Sequence, residues 1–249
     1  MQSHYCGVMR SDTVMRAMSA PHLSAIVVAA VLMAALWPAQ AVPLRSDCGL
    51  PRPNAIQRAG DTTIFTLAHG DKGRCDGDSR PRGSAPYSER AELRSDVIAR
   101  GARHRAEFAL RFAPDGRSAR GTSFFQVHSW NRGCTGCKPP IMLRIGGDGM
   151  VSAFLLDANG QTHRAVGLGV SRSQLAAGWR RFTVDFTTHP GSGNTLDISM
   201  DGRRLLTSAR YHFPARGTPY YKLGLYRPGN PEGTPRDQVS FRSFVATRN

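Results

Sequence analysis

The chain has 249 residues and a formal charge of +15, from 33 Lys and Arg against 18 Asp and Glu. Only three of the basic residues are lysines, Lys72, Lys138 and Lys222. A guanidinium group binds a carboxylate through two parallel hydrogen bonds, so this excess of arginine indicates a polyanionic partner. A genome whose codon usage favours arginine would explain why arginine is used in place of lysine. It would not explain why the net charge is so positive. The sequence contains no recognised nucleic-acid-binding module, so we do not expect that partner to be nucleic acid.

The N-terminal residues have the pattern of a secretory signal peptide. Arg10 and Arg16 precede the apolar run "HLSAIVVAAVLMAALW", and Ala39-Gln40-Ala41 supplies the small residues of a cleavage site. The apolar run is short for a membrane span and no stop-transfer charges follow it. We therefore expect residues 1–41 to be removed and the remainder to be secreted or periplasmic. Residues 42–249 suffice for one domain with one core.

Four cysteines follow the predicted cleavage point, and an exported chain meets an oxidising compartment, so two disulfides are expected. Three pairings are open; proximity favours Cys134 with Cys137, which leaves Cys48 with Cys75. A zinc site is not supported, because "CTGC" has no second CxxC or HxxxH partner. A thioredoxin-like redox site would need a βαβ context that the chain lacks.

Alternating apolar and polar residues dominate the rest of the chain. In "HRAEFALRF", for example, apolar residues occupy every second position, and charges occupy those between. Gly-, Asn- and Pro-containing turn signals separate such segments, so the sequence predicts an all-β fold, an antiparallel β-sandwich or jelly roll. One short helical turn is expected within 171–179. The predicted strands are 87–96, 104–112, 122–130, 141–145, 150–157, 179–186, 195–202, 219–229 and 239–246.

The polar run from Gly70 to Ser88 is predicted to be a long loop. Its Asp76 and Asp78 are candidate ligands for a structural Ca²⁺, and a solvated loop is the alternative. We expect no cofactor to be required for catalysis.

Three predicted strands each combine an apolar face with a face of chemically capable side chains. Side chains alternate across a strand with period two, so residues two apart share a face. Gly224 predicts an open position at which a ligand could approach the sheet. An ordinary solvated surface explains any one of these faces, but it explains three together less well. The polar faces comprise Arg90, Glu92 and Arg94; Gln126, His128 and Trp130; and Lys222, Gly224 and Tyr226.

These strands resemble the motifs of jelly-roll alginate lyases, R-[TS]-E-[LV]-R, Q-[IV]-H and Y-F-K-A-G-[VI]-Y-N-Q, in that order. The chain reads "RAELR" from residue 90, "QVH" from residue 126 and "YKLGLY" from residue 221. It departs from the pattern at Ala91, Leu223 and Arg227-Pro228, and "KLGLYR" is closer to the glucuronan-lyase and heparin-lyase-like branch. The resemblance covers residues 60 to 246 and implies a concanavalin-like β-jelly roll that acts as a polysaccharide lyase.

The resemblance implies β-elimination in a polymer that contains uronic acid. The C5 proton of such a sugar is weakly acidic because the carbanion forms beside a carboxylate. Arg90 or Arg94, with Gln126, would neutralise that carboxylate as negative charge develops. Glu92 would fix the two arginines.

Proton transfer is assigned by the same resemblance to His128 and Tyr226. In mannuronate and glucuronate the C5 hydrogen and O4 lie on the same side, so Tyr226 alone could transfer both protons, with His128 as its helper. In guluronate or iduronate they lie on opposite sides, which would make His128 the base and Tyr226 the acid. Lys222 would assist Tyr226 or bind substrate, and Trp130 would stack on a sugar ring or remain a rim residue.

The residues on the three polar faces also bear on alternative functions. A non-catalytic carbohydrate-binding module for acidic polysaccharides is the main alternative, but it would not need His128 and Tyr226 together. A glycoside hydrolase needs two carboxylates at the scissile bond, and only Glu92 lies on the three faces. The expected partner is therefore an anionic polysaccharide, bound by a monomer with no contact to nucleic acid or, after signal cleavage, to membrane.

Overall fold

The computed structural model describes residues 40–248, apart from residues 82, 117–120, 131–137, 230–232 and 234. Residues 1–39 of the predicted signal peptide, and the predicted Cys134–Cys137 bridge, lie outside the described residues. Within the described part of the chain, no helix is long and apolar enough to cross a membrane.

Fifteen strands and very little helix form the described structure. A 3₁₀ turn covers Pro53–Ala55, and α1 covers Arg172–Ala176, inside the segment predicted to hold a helical turn. The strands are β1 (Gln40–Ala41), β2 (Leu44–Ser46), β3 (Ile56–Ala59), β4 (Thr62–Leu67), β5 (Ser88–Ser95), β6 (Arg103–Phe112), β7 (Thr122–Trp130), β8 (Ile141–Ile145), β9 (Met150–Leu156), β10 (His163–Ser171), β11 (Arg180–Thr187), β12 (Gly191–Met200), β13 (Arg203–Phe213), β14 (Thr218–Pro228) and β15 (Asp237–Arg248).

Each of the nine predicted strands corresponds to an observed strand, because its apolar residues alternate and one face is buried. The alternation is clearest in β6, where every second side chain is buried. Strands that the sequence pattern did not predict are β1, β2, β3, β4, β10 and β13. β13 shows why, since most of its residues are exposed or half-buried and carry no alternation.

The strands form two antiparallel sheets. One has the order β13-β12-β11-β6-β15-β4-β3, with β1 also paired to β15, and the other has the order β10-β9-β8-β7-β14-β5-β2. Phe108 lies in the core between them, with its ring 5.1 Å from Phe125 of the other sheet and 5.7 Å from Phe182. The prediction of an antiparallel β-sandwich of the jelly-roll type is confirmed.

A disulfide joins Cys48 to Cys75, as the sequence favoured, with 4.9 Å between their Cα atoms. It fastens the chain that follows β2 to the long loop that precedes β5. Each cysteine brings a carboxylate to the same cluster, because Asp47 precedes Cys48 and Asp78 accepts a hydrogen bond from the Cys75 amide.

Candidate active site

The three strands with polar faces are neighbours, and β14 lies between β5 and β7. Their apolar side chains, such as Leu93, Val127 and Leu225, enter the core, so the polar side chains project from the opposite face of the sheet. We call this surface the β14 face. Its cross-strand partners are Arg94–Lys222–Gln126, Glu92–Gly224, Arg90–Tyr226–Ser123 and Tyr220–His128.

Arg90 is buried under this face and bonded to the protein's own carboxylates. Its Nε and Nη2 donate to Asp78 at 2.9 and 2.7 Å, and its Nη1 donates to Glu92 at 2.5 Å. Asp47 lies 3.7 Å from the same Nη1. Arg90 is only 8% exposed, so its donors face these carboxylates and not the solvent.

Glu92 connects the three strands. One of its oxygens accepts a 2.5 Å hydrogen bond from the Gln126 amide, and the other bonds Arg90 and lies 3.6 Å from Lys222 Nζ. Lys222 also forms an ion pair with Asp47. Glu92 thus contacts Arg90, one of the two arginines that it was predicted to fix, whereas Arg94 lies against Asp47. The buried polar groups of the cluster satisfy one another.

Asp47 shows how strongly the cluster favours ionised carboxylates. Burial raises its pKa, but Lys222, Arg90 and Arg94 together outweigh burial and hold the pKa below its usual value. Three cations therefore face three carboxylates in the cluster: Arg90, Arg94 and Lys222 against Asp47, Asp78 and Glu92.

Tyr226 lies at one end of this cluster. Its hydroxyl is 3.0 Å from Ser88 Oγ, and the Arg90 guanidinium carbon is 4.6 Å from the centre of its ring. Arg144 of β8 is opposite Ser123, which is itself opposite Tyr226. Burial lowers the pKa of Arg144, and the nearby Tyr226 partly offsets this. Tyr226 is half-buried, so solvent and ligands can reach it.

His128 lies near the other end, stacked on Tyr220 with 5.3 Å between ring centres and 16° between ring planes. Arg94 covers the same Tyr220 ring, with its guanidinium carbon 5.3 Å from the centre. Burial and then Asp47 raise the pKa of Tyr220, which keeps its phenol protonated. The Arg94 side chain is 34% exposed and meets Asp47 only at 3.8 Å, so it has donors available to a ligand.

The register separates His128 from Tyr226. His128 is opposite Tyr220, which precedes Tyr226 by six residues on β14. The bulge at Gly224 shortens this run, because Tyr226 is opposite Ser123, which is only five residues from His128 on β7. At about 3.3 Å per residue, the two backbones are about 16–17 Å apart along the strand. The two residues predicted to transfer protons thus share a face but occupy different positions on it. Trp130, opposite Thr218 and 49% exposed, lies still further along.

Gly224 does not provide the open position that its lack of a side chain suggested. A Cβ placed there would lie 2.2 Å from the Ala91 carbonyl oxygen and 2.8 Å from the Phe65 ring. Gly224 also has a φ of +132°, and the β14–β7 register shifts between Leu223 and Tyr226. Glycine is therefore needed for strand packing and for a bulge, and not for ligand approach.

Four side chains that build this site were not predicted from the sequence: Asp47, Ser88, Arg144 and Tyr220. Tyr220 had a detectable signal, because it precedes Lys222 by two residues and so shares its face. The others are brought in by strand pairing and by the disulfide, which no local pattern reveals. Asp78, considered as a Ca²⁺ ligand, is fully buried and accepts hydrogen bonds from Arg90 and the Cys75 amide. Asp76 is exposed.

The fold and the chain's sequence match known proteins. The family model described as "Polysaccharide lyase" matches residues 52–242. The chain belongs to this family. It is a polysaccharide lyase, and the resemblance inferred from the three motifs is confirmed. A comparison with curated proteins finds no match.

Solved structures share the lyase's fold at low sequence identity. A family 7 alginate lyase in complex with substrate superposes with a TM-score of 0.57 and 13% identity, over 80% of this chain and 83% of that one. An alginate lyase from Pseudomonas aeruginosa gives 0.54 and 20%, over 80% and 87%. An endo-β-1,4-glucuronan lyase from the fungus Trichoderma reesei gives 0.53 and 14%, over 83% and 87%.

Proposed function

We propose that this polysaccharide lyase cleaves a polymer of glucuronate or mannuronate by syn β-elimination, with Tyr226 transferring both protons. The observation that carries the proposal is the register of β14, in which Tyr226 and His128 are about 16–17 Å apart along the strands, while Ser88 and Arg90 contact Tyr226. We infer that this backbone separation favours one residue, and not the pair, for the two proton transfers at one sugar. One residue can do both jobs only where the C5 hydrogen and O4 lie on the same side of the ring.

In the proposed step the Tyr226 phenolate oxygen takes the C5 proton, and the C4–O4 bond then breaks as the C4–C5 double bond forms. The proton returns from Tyr226 to O4 of the leaving sugar, so charge and atoms balance. Arg144 beyond Ser123 supplies positive charge where the carboxylate becomes enolate-like. Arg90, whose donors are held by Asp78 and Glu92, supports the Tyr226 ring from beneath. Ser88 orients the Tyr226 hydroxyl.

The remaining predicted residues bind the polymer in this proposal. Arg94 and His128 hold the carboxylate of a neighbouring sugar, and Trp130 offers an exposed indole for stacking. Gln126 and Lys222 work through Glu92 and Asp47, which they contact, and keep the face rigid. No step requires a cofactor. The alginate and glucuronan lyases that share this fold support a uronate polymer as the substrate class.

We further propose that the lyase is exported as a monomer. Export is supported by the signal-peptide pattern of residues 1–41 together with the Cys48–Cys75 disulfide, since disulfides persist in oxidising compartments. Expression of the full chain, followed by N-terminal sequencing of the extracellular or periplasmic form, tests this; an intact N-terminus would contradict it.

The experiment for the reaction compares polyglucuronate, polymannuronate and polyguluronate, with the absorbance of the unsaturated product as the readout. We expect turnover of the first two and little of the third. Tyr226→Phe should lower kcat by roughly two to four orders of magnitude with little change in binding. The control is Tyr87→Phe, which removes a hydroxyl just outside β5. Preference for polyguluronate, or a Tyr226→Phe variant that turns over normally, would overturn the proposal.

A further inference from the structure

The excess positive charge of the lyase is not concentrated in the buried cluster of the β14 face. There, Arg90, Arg94 and Lys222 are matched by three carboxylates, whereas the whole chain carries +15. The outer face of the other sheet is rich in arginine. β6 buries its apolar residues and presents Arg103, Arg105 and Arg111 on that outer face.

Three of the arginines on this outer face are close together and form no ion pair within the part of the chain that the structure describes. Arg181 of β11 and Arg242 of β15 are both opposite Ala109 of β6, one on each side, so about 10 Å separates their strands. Arg111 is two residues further along β6 and shares the face. Among the described residues, no ion pair includes Arg111, Arg181 or Arg242, whereas Arg105 on the same face is bonded to Asp185 at 2.9 Å.

Trp179 holds two of these guanidinium groups in place. The guanidinium carbon of Arg242 is 4.2 Å from the centre of the Trp179 ring system, and that of Arg111 is 5.5 Å away. Stacking on an indole orders a long side chain and leaves the in-plane N–H donors available. The half-buried Trp179 thus reduces the entropy that Arg111 and Arg242 would lose on binding a ligand.

We propose that Arg111, Trp179, Arg181 and Arg242, which we call the arginine face, form a second binding surface for an anionic polysaccharide chain, away from the reaction. The inference rests on the proposed function only in taking the ligand to be a polymer that the enzyme cleaves. Each uronate carries one carboxylate, and a guanidinium fork binds a carboxylate bidentately. The arginine face therefore offers three such forks to one chain.

A second surface changes how the enzyme handles long substrates. A polymer held on the arginine face raises the effective concentration of its other segments at the β14 face, while a short oligosaccharide gains nothing. Removing the surface should therefore affect long chains alone, and the effect should weaken as salt screens exposed charges over about 8 Å at physiological ionic strength.

The test combines Arg111→Gln with Arg242→Gln, in the wild type for kinetics and in Tyr226→Phe for binding without turnover. The probes are long polyglucuronate, long polymannuronate and their short oligosaccharides. We expect the affinity for the long polymer to fall at least about tenfold and its KM to rise, with kcat and KM for short oligosaccharides unchanged. The control, Arg203→Gln with Arg204→Gln, removes the same charge at exposed positions where β13 begins, outside the pair of arginines that stack on Trp179.

Three results would overturn the arginine face as a polysaccharide site. Long-polymer affinity could stay unchanged, the control could lose as much affinity, or duplex DNA could bind more tightly than the polysaccharide and lose more on substitution. Turnover of short oligosaccharides by the wild type reports on the proposed reaction separately. If the wild type does not turn over these oligosaccharides, the proposed reaction is wrong, but the affinities of the variants for the long polymer still test the arginine face.

Discussion

Tyr220 shows how one side chain can organise two functional groups. Its ring packs against His128 on one β14 partner strand and against Arg94 on the other. The residue is nearly buried, and burial keeps its hydroxyl protonated by raising the pKa. The ring, and not the hydroxyl, makes these contacts, so we assign Tyr220 the role of positioning His128 and Arg94.

Tyr220→Leu should therefore raise KM for uronate oligosaccharides by about tenfold, because His128 and Arg94 lose the flat surface that orients them. Tyr220→Phe is the matched control, since it keeps the ring, and it should remain within about threefold of the wild type. Steady-state kinetics on short oligosaccharides measure both. A Phe variant as impaired as the Leu variant would show that the hydroxyl itself takes part.

At the scale of one strand, β14 depends on Gly224. Its positive φ and the register shift that follows it place Tyr226 opposite both Arg90 and Ser123. A side chain at this position would overlap the Ala91 carbonyl. The bulge thus sets where the proposed catalytic tyrosine lies.

Gly224→Ala should lower the free energy of unfolding by about 3 kcal/mol or more, since backbone strain and overpacking each cost about 1–3 kcal/mol. The comparison variant is Gly191→Ala, at a φ of +98° with no atom within 4 Å of the added Cβ. It carries strain without overlap and should cost about 1 kcal/mol. Urea unfolding measures both; equal losses would mean that overlap with Ala91 is unimportant.

The segments joined by the disulfide support the same site. Asp47 precedes Cys48, and Asp78 accepts a hydrogen bond from the Cys75 amide. Both carboxylates contact Arg90. The bridge therefore holds two of the three anions that keep Arg90 in place beneath Tyr226.

Replacing both Cys48 and Cys75 with Ser should lower the free energy of unfolding by about 3–4 kcal/mol, from the entropy of a loop of this length. Activity should fall as well, because Asp47 and Asp78 are no longer anchored. Denaturant unfolding and kinetics, each with and without reductant, measure the two effects. Full activity in the folded double variant would separate the disulfide from the site.

At the scale of the whole molecule, several ionisable groups make the fold sensitive to acid. Burial lowers the pKa of His104 and of His163, only partly offset by their bonds to backbone carbonyls. The pKa of Asp47 is also lowered, as described above. Each group binds fewer protons in the folded state than in the unfolded state, so the stability it confers is lost as the pH falls.

We expect the free energy of unfolding to fall in two stages on acidification, first below the ordinary histidine pKa of 6.5 and then below the aspartate value of 3.8. Urea unfolding at a series of pH values measures this. His104→Gln should reduce the first stage, and His69→Gln, at an exposed position, is the control. A stability that rises between pH 7 and pH 5 would contradict the assignment.

Local sequence pattern was enough to predict the fold class and most members of the β14 face. Period-two alternation is a local property: it places Arg90, Gln126, His128, Lys222 and Tyr226 opposite apolar residues that must be buried. The same alternation predicted nine strands correctly. Alternation did not predict β13, because most of its residues are exposed or half-buried and show no apolar–polar pattern. It also did not predict β4, which is short and rich in threonine, or β10, which contains two glycines.

How those residues meet follows from the three-dimensional packing of the strands and not from local sequence. Cross-strand register depends on turns, bulges and the packing of distant strands, and here it put His128 beside Tyr220 and Tyr226 beside Arg90. It also brought Asp47 and Asp78 onto Arg90 across long sequence separations, and it turned Gly224 from an apparent opening into a packing requirement. A strand's faces follow from its own sequence, because side chains alternate along it, whereas the partner opposite each residue depends on chain that lies far away.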